Sequence, residues 1–323
     1  MIVVQNVETR SPSRIRRQKK ILWGVLFGLM VLIYGSHAPL ITLTKVDGQV
    51  PFNPSSCVLM IEFSKLLVSL ATLVLTDGTS ALPAPPHLIR MAPYAVPALL
   101  YALNNNLVVL MQAYMDPSSY QVLSNLKIAS TALLYSFCLG KRLRPSQWLA
   151  LGLLMCAGVC HSYSSLDLGD PRMFEAEEGP RLHITAWGLF LVLVYCCVSG
   201  LAAVYTERVL KSQKLPLSLQ NLFLYVFGVA INGLSSFSFI TGEKSFLEGY
   251  SGVVWVIIVG QAANGLLMSV VLKHGNGITR LFVISCSMLV NALLSWAMLG
   301  LQLTPFFILP VSMIGIAAFL YYR

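Results

Sequence analysis

The sequence predicts an all-α polytopic membrane protein with ten transmembrane helices arranged as two inverted five-helix repeats. Three observations carry this reading. Hydrophobic residues fill 56% of 323 positions, charged residues only 11%, and mean hydropathy is +0.72, a balance that no soluble core absorbs. Apolar segments of spanning length recur along the whole chain. Finally, Leu133, Leu134, Leu139, Gly140, Leu143 and Pro145 return as Leu293, Leu294, Leu299, Gly300, Leu303 and Pro305, each displaced by 160 residues. The alternative for this last pattern is chance likeness between two Leu-rich helices.

The spans fall near residues 21–43, 54–76, 93–114, 118–140, 146–163, 184–206, 219–240, 250–272, 278–300 and 303–322. A basic segment, 1–20, leads into the first span without a small-residue cleavage pattern, so that helix reads as an anchor. Asp116 and Pro117 separate the third span from the fourth. A polar interval at 164–183, acidic at Glu175, Glu177 and Glu178, divides a first repeat (21–163) from a second (184–323). Each half has an odd number of spans, so the copies face opposite ways. The charges agree, since Lys141, Arg142 and Arg144 are replaced by Leu301, Gln302 and Thr304 in the other copy. Inverted repeats of this kind build secondary transporters, with the site between the halves near the midplane.

The net charge of +9 is a topology signal. Basic residues cluster before the first span and at Arg90, at 141–144, at Arg208, Lys211 and Lys214, at Lys273 and Arg280, and at Arg323. The opposite loops collect the acidic residues. This positive-inside pattern places both termini in the cytosol and requires no nucleic-acid partner, although the N-terminal cluster also suits anionic lipid. All seven cysteines lie in apolar spans without metal-ligand spacing, and the five histidines form no cluster. No metal or cofactor is expected. Neither paired carboxylates nor a nucleophile with its base is recognisable, which argues against an enzyme. Gly24 and Gly28 form a GxxxG pattern that suits either a homodimer or simple close packing.

Candidate site residues are polar groups stranded in apolar spans. Lys127 lies about ten residues from either end of its span, roughly 15 Å deep, beyond the reach of snorkelling. A charge there costs about 2.5–3.5 kcal/mol, so it marks an anion site or pairs with a buried carboxylate such as Glu62. Tyr120, Gln121 and Asn125 share its span, with Tyr120 two helical turns away on one face. Asn104, Asn105 and Asn106 interrupt the third span; Tyr195, Ser199 and Tyr205 lie on the sixth, and Asn221 and Tyr225 on the seventh. Each of these either lines a wet cavity or bonds helix to helix. Lys273, at a span end, either snorkels or joins the site. Glu62 and Lys65, at i and i+3, read as a structural or gating pair.

Four runs then carry a family resemblance. They are Tyr101-Ala102-Leu103-Asn104-Asn105-Asn106; Tyr120-Gln121-Val122 leading to Leu126-Lys127-Ile128; Ser199-Gly200 leading to Val204-Tyr205 and Glu207-Arg208-Val209-Leu210-Lys211; and Ser269-Val270-Val271-Leu272-Lys273. From about Glu62 to the C-terminus the chain resembles the nucleotide-sugar transporters of solute carrier family 35, subfamily A. The resemblance implies ten helices in the drug/metabolite transporter fold. It also implies a multi-pass Golgi protein that exchanges a cytosolic pyrimidine nucleotide-linked sugar or related group for a lumenal nucleoside monophosphate. By the same resemblance Lys127 and Lys273 hold the phosphate, Tyr120, Tyr205 and Tyr225 frame the nucleotide, and Asn105, Asn106 and Asn221 read polar edges; Tyr101 and Ser199 fall in the matching runs. The chain departs from the family at 273–278, where Lys-His-Gly-Asn-Gly-Ile replaces Lys-Tyr-x-Asp-Asn-Ile, and at Arg280-Leu281, which replaces Lys-Gly. The altered loop leaves the group on the phosphate open, whether UDP-, CMP- or CDP-linked. The other classes to separate are an exporter of another metabolite and a transport-silent scaffold, alone or associated with other nucleotide-sugar transporters.

Overall fold

The computed structural model describes residues 12–46, 50–77, 88–111, 114–115, 117–166, 185–240, 246–300 and 307–323. Every regular element among them is helical: α1 (Pro12–Thr44), α2 (Pro54–Asp77), α3 (Leu88–Met91), α4 (Ala95–Met111), α5 (Pro117–Leu123), α6 (Lys127–Cys138), α7 (Pro145–Leu166), α8 (Ala186–Ser212), α9 (Leu217–Ile240), α10 (Gly252–His274), α11 (Gly277–Leu299) and α12 (Ile308–Tyr322). Six of these, α1, α2, α8, α9, α10 and α11, are long and apolar enough to cross a bilayer. Most of the acidic interval expected at 164–183 lies outside the described residues.

Local chemistry sets the helix ends. Proline opens α1, α2, α5 and α7, where a missing N–H costs nothing. Thr185 caps α8 by accepting the Gly188 N–H at 3.0 Å, and Asn276 caps α11 by accepting the Thr279 N–H at 2.8 Å. Gly140 and Gly300, which follow α6 and α11, take φ of +62° and +67°. A Cβ would meet nothing at either position, so glycine serves there for its left-handed backbone alone.

The fourth expected span is not one continuous helix. A 3-10 turn, Ser124–Leu126, separates α5 from α6, and Lys127 is the first residue after it. The Asn125 amide donates to the carbonyls of Gln121 and Val122 and to Ser162 Oγ on α7, competing with the helical ladder. Two other boundaries differ from expectation: α1 reaches back through the basic run to Pro12, and α8 continues past 206 to Ser212.

Helix α1 packs on α10 and α11, α2 on α9 and α10, α4 on α8 and α9, α6 on α8, and α7 on α5 and α12. Two glycines let crossing helices approach closely. A Cβ at Gly35 would stand 2.7 Å from the Ser287 carbonyl oxygen on α11, and one at Gly200 would stand 3.1 Å from the Thr131 backbone on α6. Outward faces stay apolar, with Leu75, Ile89, Phe137 and Leu234 fully turned out. Trp148, Trp187, Trp255 and Trp296 are exposed within four residues of a helix end, the placement that interfacial aromatics favour. The chain is therefore a multi-pass membrane protein.

Candidate functional site

A cavity of about 230 Å³ lies among α1, α2, α4, α8, α9, α10 and α11. Helix α2 presents Glu62 and Lys65 to it from successive turns. Lys65 Nζ donates to Glu62 Oε1 at 2.5 Å and stands 4.6 Å above the centre of the Tyr225 ring on α9. Two glycines receive this pair: a Cβ at Gly228 would strike the Glu62 carboxylate, and one at Gly265 would strike the Lys65 stem. Helix α4 contributes Tyr101 and Asn105. Tyr101 accepts a 3.4 Å bond from Thr206 of α8, and the Arg280 guanidinium of α11 lies 5.8 Å from its ring centre.

Two lining groups hold buried polar atoms without hydrogen-bond partners among the described residues, Arg280 Nη1 and Asn264 Oδ1. Such atoms are costly to bury unless something completes their bonding. A cationic donor, an amide acceptor and the phenol rings of Tyr34, Tyr101 and Tyr225 around one cavity suit a ligand that combines an anion with a planar, hydrogen-bonding ring.

Of the residues singled out in the sequence, Tyr101, Asn105, Tyr225, Glu62 and Lys65 line this cavity. The others lie elsewhere. Asn106 donates to the Ala102 carbonyl of its own helix at 2.8 Å. Tyr120 packs edge-on to Tyr195 at 5.9 Å, and their hydroxyls are 3.4 Å apart. Lys127, half-buried at the start of α6, brings its charge near Tyr195 and makes no side-chain hydrogen bond or ion pair among the described residues. Tyr34 also lines the cavity. Ser199 is half-buried on α8, and Tyr205 packs on the apolar cluster around Phe223. Asn221 is buried one turn before Tyr225, with Oδ1 unpartnered among the described residues. Lys273 Nζ donates to the Leu215 carbonyl at 2.8 Å and to Gln220 Oε1 at 2.5 Å, and it does not line the cavity.

Sequence reasoning passed over Arg280 and Asn264. Arg280 read as one more topological charge at a helix end. Asn264 was legible by the same rule that found Asn105, an amide stranded inside an apolar span.

A multi-pass helical protein with a polar, cation-bearing cavity between its helices is a membrane carrier by class. The profile of the nucleotide-sugar transporter family matches residues 25–322, and the chain belongs to that family. A zebrafish (Danio rerio) protein named "Probable UDP-sugar transporter protein SLC35A4" is 62% identical over 313 residues, covering 97% of each chain. Its human counterpart of the same name is 50% identical over 324 residues, covering 98% of this chain and 99% of its own. A solved crystal structure superposes with a TM-score of 0.67 at 15% identity, covering 91% of this chain and 94% of that one, so the fold is shared. The family and these relatives are transporters rather than enzymes.

Proposed function

We propose that the protein is a Golgi antiporter exchanging a cytosolic pyrimidine nucleotide-linked sugar or related group for a lumenal nucleoside monophosphate by alternating access. One observation carries the anion site. Lys65 is paired with Glu62 and Lys273 is bonded to Leu215 and Gln220, whereas Lys127 and Arg280 have, among the described residues, donors free for a phosphate. Tyr101 offers a ring face beside Arg280, Tyr225 lines the same cavity, and Asn105 and Asn264 offer polar edges. The names of the relatives favour a uridine diphosphate conjugate as the first to test.

The mechanism rests on ten spans in two inverted halves, which three features support. If α1, α2, α4, α5/α6 and α7 are matched in order to α8 through α12, the helix pairings exchange among themselves: α1 with α11 becomes α8 with α6, and α1 with α10 becomes α8 with α4. Gly35 and Gly200 occupy the same kind of close crossing in matched pairs. Gly140 and Gly300, matched in the sequence repeat, share a left-handed backbone. Two near-equivalent packings of the halves would give alternating access to one site.

Purified protein in liposomes preloaded with UMP or CMP is expected to take up labelled UDP-, CMP- or CDP-conjugates faster than empty liposomes do. Equal uptake in both would refute obligatory exchange, and no uptake of any conjugate would favour a scaffold. Orientation has its own check in sealed Golgi vesicles. Tags at either terminus should be cut by external protease, and a tag in the acidic loop should be protected; the reverse pattern would overturn the assignment.

A further inference from the structure

We propose that Glu207 is a positioning residue that latches shut the basic end of the bundle and fixes the wall of the cavity on which Arg280 stands. The inference rests on reading the central cavity as the transport site. Glu207 is fully buried near the end of α8, a place where a carboxylate is unusual unless fully paired. Oε2 accepts the N–H of Gly277, the first residue of α11, at 2.6 Å, where the helix dipole favours a negative charge. Oε1 accepts Lys211 Nζ at 2.7 Å and lies 3.9 Å from Lys141 Nζ, which in turn donates to the Tyr135 hydroxyl on α6. Lys211 also donates to the Gly275 carbonyl at 2.5 Å. One carboxylate thus ties α8 to the turn between α10 and α11, and through Lys141 to the segment after α6.

The cavity begins immediately beside this knot. Thr206, the preceding residue, lines it; so do Leu272, at the end of α10, and Arg280, one turn into α11. The N-terminus of α11 cannot part from α8 without breaking the Gly277–Glu207 bond. At the opposite end of the bundle, among the described residues, the Ser56 and Tyr250 hydroxyls are 2.8 Å apart, and Phe52 packs edge-on to Tyr250. Opening at the basic end must therefore break this charged knot, and it swings the Arg280 turn with it.

The test uses the full chain with Cys156 and Cys197 replaced by Ser and Asn105→Cys added as a reporter in the cavity. It is carried in sealed vesicles with the basic face outward and probed with a membrane-impermeant maleimide. Glu207→Gln removes the charge, and Lys211→Met, at a partly exposed position, removes the tie to Gly275 and leaves Glu207 in place. Both are expected to raise the labelling rate by at least about threefold, a population shift towards the open form. In the exchange assay, without the reporter, KM measured from the basic face and Vmax should both fall, because the open form is more populated and returns more slowly. A purely structural role would lower Vmax through loss of folded protein, with KM and labelling per folded molecule unchanged, and that result overturns the latch. If Glu207→Gln does not fold, Lys211→Met decides alone. Labelling needs no substrate, so a parent protein that moves no nucleotide conjugate would refute the transport reading while the latch is still tested.

Discussion

Arg280→Ala is expected to raise the KM of nucleotide-conjugate exchange by about 10–150-fold, the loss that follows when charge-assisted hydrogen bonds of about 1.5–3 kcal/mol disappear. The guanidinium is already placed in the cavity beside the Tyr101 ring, with Nη1 lacking a partner among the described residues, so an anion gains a bond there without breaking another. Arg280→Lys keeps the charge and loses the planar fork, and it should fall between the two. Lys127→Ala should weaken exchange by a similar factor and leave membrane insertion intact, since removing an unpaired cation from a span eases insertion. Lys273→Ala acts differently: by freeing Leu215 and Gln220 it should lower the melting temperature of the purified protein while KM holds near the parental value. Exchange kinetics and thermal melts on the same preparations check all four. A parental KM for Arg280→Ala would show that the anion is held elsewhere.

The helices were largely legible because spanning length and apolarity are properties of local composition, and the expected segments at 54–76, 219–240, 250–272 and 278–300 coincide closely with α2, α9, α10 and α11. The break before Lys127 was not. Hydropathy is blind to a three-residue 3-10 turn, and its cause includes the bond from Asn125 to Ser162 on another helix, 37 residues on. Glu62 and Lys65 could be paired from their spacing alone, but the glycines that receive them lie on α9 and α10. The cations show the limit most clearly. Sequence sees that Lys273 and Arg280 sit near the same helix junction; only the fold shows that Gln220, 53 residues away in sequence, engages the first and that the second faces the cavity with a donor free. Glu207 and Lys211 likewise read as an ordinary i,i+4 pair, and the Gly277 N–H that makes the carboxylate a junction arrives from 70 residues away.

For the Glu62–Lys65 pair, single and double replacement should diverge. Glu62→Gln leaves the Lys65 ammonium beside a neutral amide and the Tyr225 ring, without its counter-charge, in a site where its side chain is 12% exposed. Breaking a buried pair from one side costs about 3–5 kcal/mol, whereas replacing both partners with groups of similar volume is close to neutral. Glu62→Gln should therefore lower the melting temperature of the purified protein strongly, and Glu62→Gln combined with Lys65→Met should recover most of the loss. Exchange should not recover with it: the pair holds its shape against Gly228 and Gly265 and sets the field over Tyr225, so an uncharged replacement relaxes the wall on which the ring stands. A double variant with parental stability and exchange slowed by about tenfold or more, equivalent to roughly 1.4 kcal/mol, is the expected result. Full recovery of both would reduce the pair to neutralising filler within α2, and recovery of neither would mean that the two side chains are needed for the helices to pack.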